Sequence, residues 1–397
     1  MKRSEHDHLL CWVVLAIVLL VVVSTAWAVL LRWTRCPGWS VVAGVAAGLM
    51  LGPTILGRVA PDLYGGVFDG GLDQHRQLRQ LISHHGAERV AAHAAGATDE
   101  TIAGLRLRQA AAVDTATGVW RDARWAHQRP QRTLVAVLAA LTLAGAAAFA
   151  IPRCGHPRSI IAAASIGTWS AALPGAVAWF MLRGPWEAGT AESMLVVAAV
   201  AIGPWALTAA DRKTADDAET GGACLVQDAG RIATLIAAAL VVAALAHAHG
   251  WRGLLWAAPL AAIPLGWMAH RSGVEITRRV LGLVVVPAVT ACVAVRVDVL
   301  ADLTLWPVVV LALLSTDGRW IGAFTGAQVL GGRRGLRTMR LVMASTASGP
   351  TQIVVAAIAV STWSISTSLA LALLLGAVLI EVTGPARRGV AQRLESQ

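Results

Sequence analysis

Apolar residues in this chain arrive in blocks of about 20, the length an α-helix needs to cross the hydrocarbon core of a bilayer. The blocks fall at 9–31, 38–57, 133–152, 159–182, 191–209, 223–248, 251–269, 280–297, 303–328, 339–360 and 364–384. This pattern predicts about eleven transmembrane helices, give or take two. Lipid offers no partner for a free backbone amide, so each span must be helical, and runs without two-residue alternation exclude a β-barrel. The first block follows Lys2 and Arg3 and passes the small-residue triplet Ala26, Trp27 and Ala28. It exceeds the 7–15-residue core of a signal peptide and reads as a retained first span.

One stretch interrupts the pattern. Residues 62–131 are rich in Ala, Arg, Gln, His and Asp, with apolar positions at helical spacing, as at Leu78, Leu81, Ile82 and Ala87, then Leu105, Leu107 and Val113. One or two amphipathic helices are expected there, on the non-cytoplasmic side. Its histidines, His75, His84, His85, His93 and His127, show no recognised ligand spacing and read as solvated surface, with no metal site. The chain thus divides into two first spans (1–61), a polar helical insertion (62–131), a transmembrane translocation region (132–385) and a short tail (386–397).

Composition narrows the class. Of 397 residues, 56% are hydrophobic and 14% charged, with a mean hydropathy of +0.62; an average soluble domain carries roughly 25% charge. A water-soluble enzyme is excluded on that ground. The net charge of +10 would suggest nucleic acid in a soluble chain, but here the arginines lie between spans, where they set orientation. One set of alternate short loops holds sixteen Arg and Lys and the other five, leaving out the long polar segment. That places the N-terminus outside and the C-terminus in the cytoplasm. The preference for Arg over Lys and the Ala/Gly richness suggest a GC-rich bacterial genome, and the chain is expected in the bacterial inner membrane. Five dispersed cysteines without a CxxC pair read as small apolar residues. No paired catalytic groups lie within spans, and no glycine-rich nucleotide fingerprint follows the last one, so neither an enzyme nor a cofactor is expected.

An ionisable side chain inside a span costs about 2.5–3.5 kcal/mol on insertion scales and is a functional candidate. Asp228 lies in the sixth span, within Cys224-Leu225-Val226-Gln227-Asp228-Ala229-Gly230-Arg231. It either neutralises Arg231 three residues on or faces a polar cavity where a cation and a proton compete for one carboxylate. Arg319, in the ninth span, either snorkels or pairs with Asp317, or serves as a fixed positive partner for a carboxylate or for broken-helix carbonyls. Arg296 and Asp298 close the eighth span, and Gln352 lies in the tenth. Gly203-Pro204 and Gly349-Pro350 interrupt the fifth and tenth spans, in opposite halves of the chain. Such breaks put half-helix ends, with their partial charges, near an ion site.

These stretches together resemble the second branch of the monovalent cation:proton antiporters, with their sodium/hydrogen-exchanger transmembrane domain. Gly44-Val45-Ala46-Ala47-Gly48-Leu49-Met50-Leu51-Gly52-Pro53-Thr54-Ile55-Leu56-Gly57 is similar to the family's second-span signature. Ala172-Leu173-Pro174-Gly175 resembles its proline-containing small-residue span. Gln227-Asp228 resembles the Gln-Asp pair of its potassium-efflux members, and Gly318-Arg319-Trp320-Ile321-Gly322-Ala323 its segment with a basic residue followed by Gly-Ala. The resemblance implies a dimerisation panel and a mobile core with two crossed broken helices, a homodimer, and antiport of Na⁺ or K⁺ against protons by alternating access. It assigns Asp228 as the carrier, Gln227 as its polar neighbour, Thr208 to the unwound segment of the fifth span and Arg319 as the basic partner.

The chain departs from that pattern in two places. After the fifth-span break it runs Asp211-Arg212-Lys213-Thr214-Ala215-Asp216-Asp217-Ala218-Glu219, too polar for lipid, which leaves Asp228 about two turns from a polar end. The family's third-span Gly-Leu-Glu element is displaced by residues 62–131. Either the crossed-helix site is remodelled, or exchange is weakened or lost; in the latter case the chain is a non-transporting scaffold that presents residues 62–131 to a partner.

Overall fold

A computed structural model describes residues 2–34, 36, 38–148, 157–202, 222–250, 281–329, 349–362 and 364–395. In chain order the main helices are α1 (Lys2–Trp33), α2 (Trp39–Leu51), α3 (Leu72–Ala94), α4 (Asp99–Ala148), α5 (Pro157–Arg183), α6 (Thr190–Ala201) and α7 (Gly222–His249). They continue as α8 (Val286–Ala294), α9 (Leu305–Leu313), α10 (Arg319–Val329), α11 (Gly349–Ser361) and α12 (Thr367–Glu395). Every regular element among the described residues is helical. Six stretches there are long and apolar enough to cross a membrane: Val14–Trp33, Trp39–Val59, Ile161–Arg183, Ile232–His249, Leu305–Val329 and Thr367–Gly384. Thr190–Ala201, Leu283–Ala294 and Gly349–Ser361 are apolar but shorter. The span expected at 251–269 lies outside the described residues, as do parts of those expected at 191–209 and 339–360.

The chain folds as two units, Met1–Leu19 with Ile55–Arg132, and Leu20–Thr54 with Thr133–Gln397. In the first, α3 and the start of α4 run antiparallel, joined by a turn at Gly96 (φ 72°) and opened by Thr98, whose hydroxyl accepts from the Thr101 amide. His75 stacks on Trp120 with ring centroids 5.2 Å apart. At the base, Asp69 accepts from Arg124 Nε at 2.7 Å and from Gln128 Nε2 at 3.0 Å. The Gln131 amide donates to the Val67 carbonyl at 3.0 Å. Arg76 bonds Asp62 at 2.8 Å, which raises the guanidinium pKa, but the pair is exposed and adds little. The sequence leads one to expect one or two helices; two are present, with a narrow apolar face: Leu78 and Ile102 are buried while Ile82 and Leu107 are exposed. Two helices alone bury only the seam between them, and polar bonds do the rest.

The second unit is built on close helix approach through small residues. The stripe Gly318, Gly322 and Gly326, the first just ahead of α10 and the others within it, faces α5. A Cβ on Gly322 would collide with the Trp169 carbonyl oxygen, and one on Gly326 would lie 2.8 Å from that of Ser165. Ser165 Oγ donates to the Gly326 carbonyl at 3.1 Å. Gly167 does the same for α7, where an added Cβ would meet the Ala229 carbonyl at 2.5 Å. In the second-span signature, Gly48 lets α2 lie on Ala291 and Ala294 of α8. The Thr54 hydroxyl ties its end to the Val297 carbonyl (3.4 Å) and the Val299 amide (3.2 Å).

Gly322→Ala is therefore expected to destabilise this unit by about 1–3 kcal/mol, the usual cost of overpacking. Gly104→Ala, whose Cβ meets nothing within 4 Å, should be neutral or slightly stabilising because alanine is the better helix former. Thermal unfolding of the two purified variants in detergent checks the contrast.

Candidate functional site

Polar bonds define one end of the second unit. Glu192 Oε1 accepts from the Ser366 amide at 2.7 Å, Asp302 Oδ1 from the Thr367 hydroxyl at 2.8 Å, and His249 Nε2 lies 3.2 Å from Ser364 Oγ. The start of α6, the end of α7, the approach to α9 and the turn from α11 to α12 thus share this end. Both carboxylates sit at the N-terminus of α12, where the helix dipole favours negative charge.

Depth from this end follows from the helical rise of 1.5 Å per residue. The 12 residues of α6 reach about 18 Å, to Ala201, beyond which Ile202 is extended (φ −61°, ψ 129°). The 13 residues of α11 reach about 20 Å, to Gly349. Arg319, fourteen residues past Leu305, lies at about 21 Å by the same rise. The C-terminal end of one short apolar helix and the first described residue of another, which pack together in the same core, therefore fall at similar depth, and the carbonyl end of α6 carries partial negative charge there.

Arg319 lies at that level. Gly318 faces Pro174 and Gly322 faces Ser170, so Arg319 is level with Leu173 of α5, two residues from Ala171. Ala171 clusters with Ala201, the last residue of α6, and Ala233 of α7. Arg319 is 3% exposed, and its Nε and Nη1 have no hydrogen-bond partner among the described residues. Of the two readings open in the sequence, snorkelling or pairing with Asp317 fails: Asp317 is exposed, Arg319 is buried, and no ion pair joins them among the described residues. The helix before it widens into a π turn, Leu314–Gly318, in which Ser315 is buried and its Oγ has no partner among the described residues. Opposite, Pro174 has no N–H to give the Ser170 carbonyl, so that acceptor loses its helical donor. Gln352, in the first turn of α11, is 0% exposed; Nε2 donates to the Leu373 carbonyl at 3.3 Å and Oε1 has no partner among the described residues. A fixed positive charge, a half-helix carbonyl end and unsatisfied polar atoms thus occur at mid-depth in an otherwise Ala/Val/Leu core.

Asp228 and Gln227 lie on the helical backbone of α7, their side chains outside the described residues, and Thr208 lies wholly outside them. The neighbour of Asp228, Ala229, is buried with Ile166, Ala323 and Ala327. The helix of Asp228 and that of Arg319 thus both pack on α5, but the two residues are not at one level. Asp228 is five residues before Ala233, which neighbours Ala171, and Arg319 is level with a position two residues beyond Ala171, so Asp228 lies about 10 Å farther from the Ser366 end than Arg319 does. One half-buried acid carries no motif in the sequence pattern that marks it as a site residue. Glu381, near the end of the last apolar run, packs against the backbones of Gly38 and Gly349, and its isolation in that run was the available signal. No family model matches the chain, and no curated protein or solved structure matches it.

Proposed function

We propose that this protein is a secondary antiporter exchanging a monovalent cation, Na⁺ or K⁺, for protons across a bacterial inner membrane by alternating access. Its N-terminus is then outside and its C-terminus cytoplasmic, and it works as a homodimer without cofactor or covalent chemistry. The observation that carries the proposal is Arg319, buried close to the level where α6 ends, with Nε and Nη1 lacking a hydrogen-bond partner among the described residues. Burying an uncompensated charge costs several kcal/mol; a charge kept there despite that cost fits an ion pathway. In this reading Asp228 carries either a proton or the cation, never both, which couples the two fluxes. Gln227 and Thr208 contribute neutral oxygens to the bare cation. Arg319 faces the carbonyl end of α6 and holds the site's net charge low enough for the cation to leave.

Addition of Na⁺ or K⁺ outside proteoliposomes carrying an internal pH dye should alkalinise the lumen, with no response in protein-free vesicles. Silence for both cations with folded protein would overturn antiport and favour the non-transporting scaffold.

A further inference from the structure

The polar insertion holds a second constellation, independent of the ion pathway. On α3, His84, His85 and Glu88 occupy positions i, i+1 and i+4, so that one ligand atom from each lies within 4.8 Å of the others. His84 Nδ1 is 3.7 Å from Glu88 Oε1. The other carboxylate oxygen, Oε2, accepts from Gln109 Nε2 on α4 at 2.9 Å, and the same nitrogen donates to the His85 carbonyl at 3.3 Å. Both partners of that nitrogen are acceptors, which fixes the orientation of the amide. Gln109 is 6% exposed and its Oε1 has no partner among the described residues. A buried glutamine aimed at a carboxylate, holding one oxygen and leaving the other toward a histidine, is the arrangement in which an outer group orients a metal ligand. His85 Nδ1 is also buried without a hydrogen-bond partner among the described residues, an unmet need that a cation would satisfy.

We propose that His84, His85 and Glu88 bind a divalent transition-metal ion of the zinc type. Two imidazoles and one carboxylate suit Zn²⁺, Co²⁺ or Ni²⁺ and not the oxygen-preferring Mg²⁺ or Ca²⁺. Ligand atoms at about 2.0–2.1 Å around a tetrahedral centre lie roughly 3.3 Å apart. The observed spacing reaches that by small side-chain rotations on one helix face. His84 and Glu88 are exposed, so the fourth position opens to solvent. Gln109 ties the site to α4, and the bound ion fastens the two helices of the hairpin through Glu88.

The test uses the full chain, purified in detergent without a histidine tag, titrated with Co²⁺. One ion per chain is expected, giving visible absorption of a low-symmetry Co²⁺ site that Zn²⁺ bleaches and Mg²⁺ does not. His84→Ala with Glu88→Ala should abolish the signal. Gln109→Leu should weaken binding about 10–100-fold, as for other outer-shell partners. His93→Ala, farther along the same helix, should leave it unchanged. Absence of saturable Co²⁺ binding, or binding that survives the double substitution, would overturn the proposal. Antiport activity enters neither outcome.

Discussion

Asp228→Asn protein is expected to insert, purify and melt like the parent while its cation-driven proton movement falls to that of protein-free vesicles. Asparagine has the shape of aspartate but can neither bind a proton at working pH nor carry the charge that draws a cation out of water. Insertion should not suffer, since a central aspartate is itself disfavoured by about 2.5–3.5 kcal/mol. Unaltered exchange in this variant would remove Asp228 as the carrier. Because Asp228 lies about 10 Å along its helix from the level of Arg319, its loss should not unpair a buried partner, and the stability readout separates the two roles.

Arg319→Met should raise stability and, like Asp228→Asn, abolish transport. Methionine fills the arginine's volume without its charge, and replacing buried charged groups by apolar residues is often neutral or stabilising by about 1–4 kcal/mol. Arg319 Nε and Nη1 have no partners to lose among the described residues, so a higher melting temperature in detergent is expected, together with loss of exchange. Arg319→Lys should keep part of the exchange, because the charge stays while the fork of donors goes. A drop of about 3–5 kcal/mol in Arg319→Met, the signature of a broken buried pair, would mean that the guanidinium has a structural partner.

The helical class was legible because a bilayer imposes one length and one periodicity on every span, and composition alone reports both. The helix stop at Ala201 was legible from Gly203-Pro204, since proline ends the ladder just ahead of it. The offset between Asp228 and Arg319 was not. A sequence tells which span a residue occupies, while its depth depends on how two helices slide, and that is set by contacts such as Gly167 on Ala229 and Gly322 on Ser170. The burial of Arg319 was hidden for the same reason: the residue sits two positions from an acid, and only the packing of α10 on α5 separates them. His84, His85 and Glu88 lie together in sequence, but what gives them meaning is Gln109, 21 residues from Glu88 and on another helix. No local pattern contains that pairing.

The central claim is that proton and cation fluxes are coupled through this chain. The most direct measurement loads proteoliposomes with acidic buffer, dilutes them into alkaline buffer at zero membrane potential, and follows uptake of radioactive Na⁺ or Rb⁺. Antiport predicts accumulation of one of these ions above its outside concentration, driven by the pH gradient alone and abolished by collapsing that gradient or by Asp228→Asn. Uptake that never exceeds equilibration, or the absence of uptake with folded protein in the membrane, would contradict it.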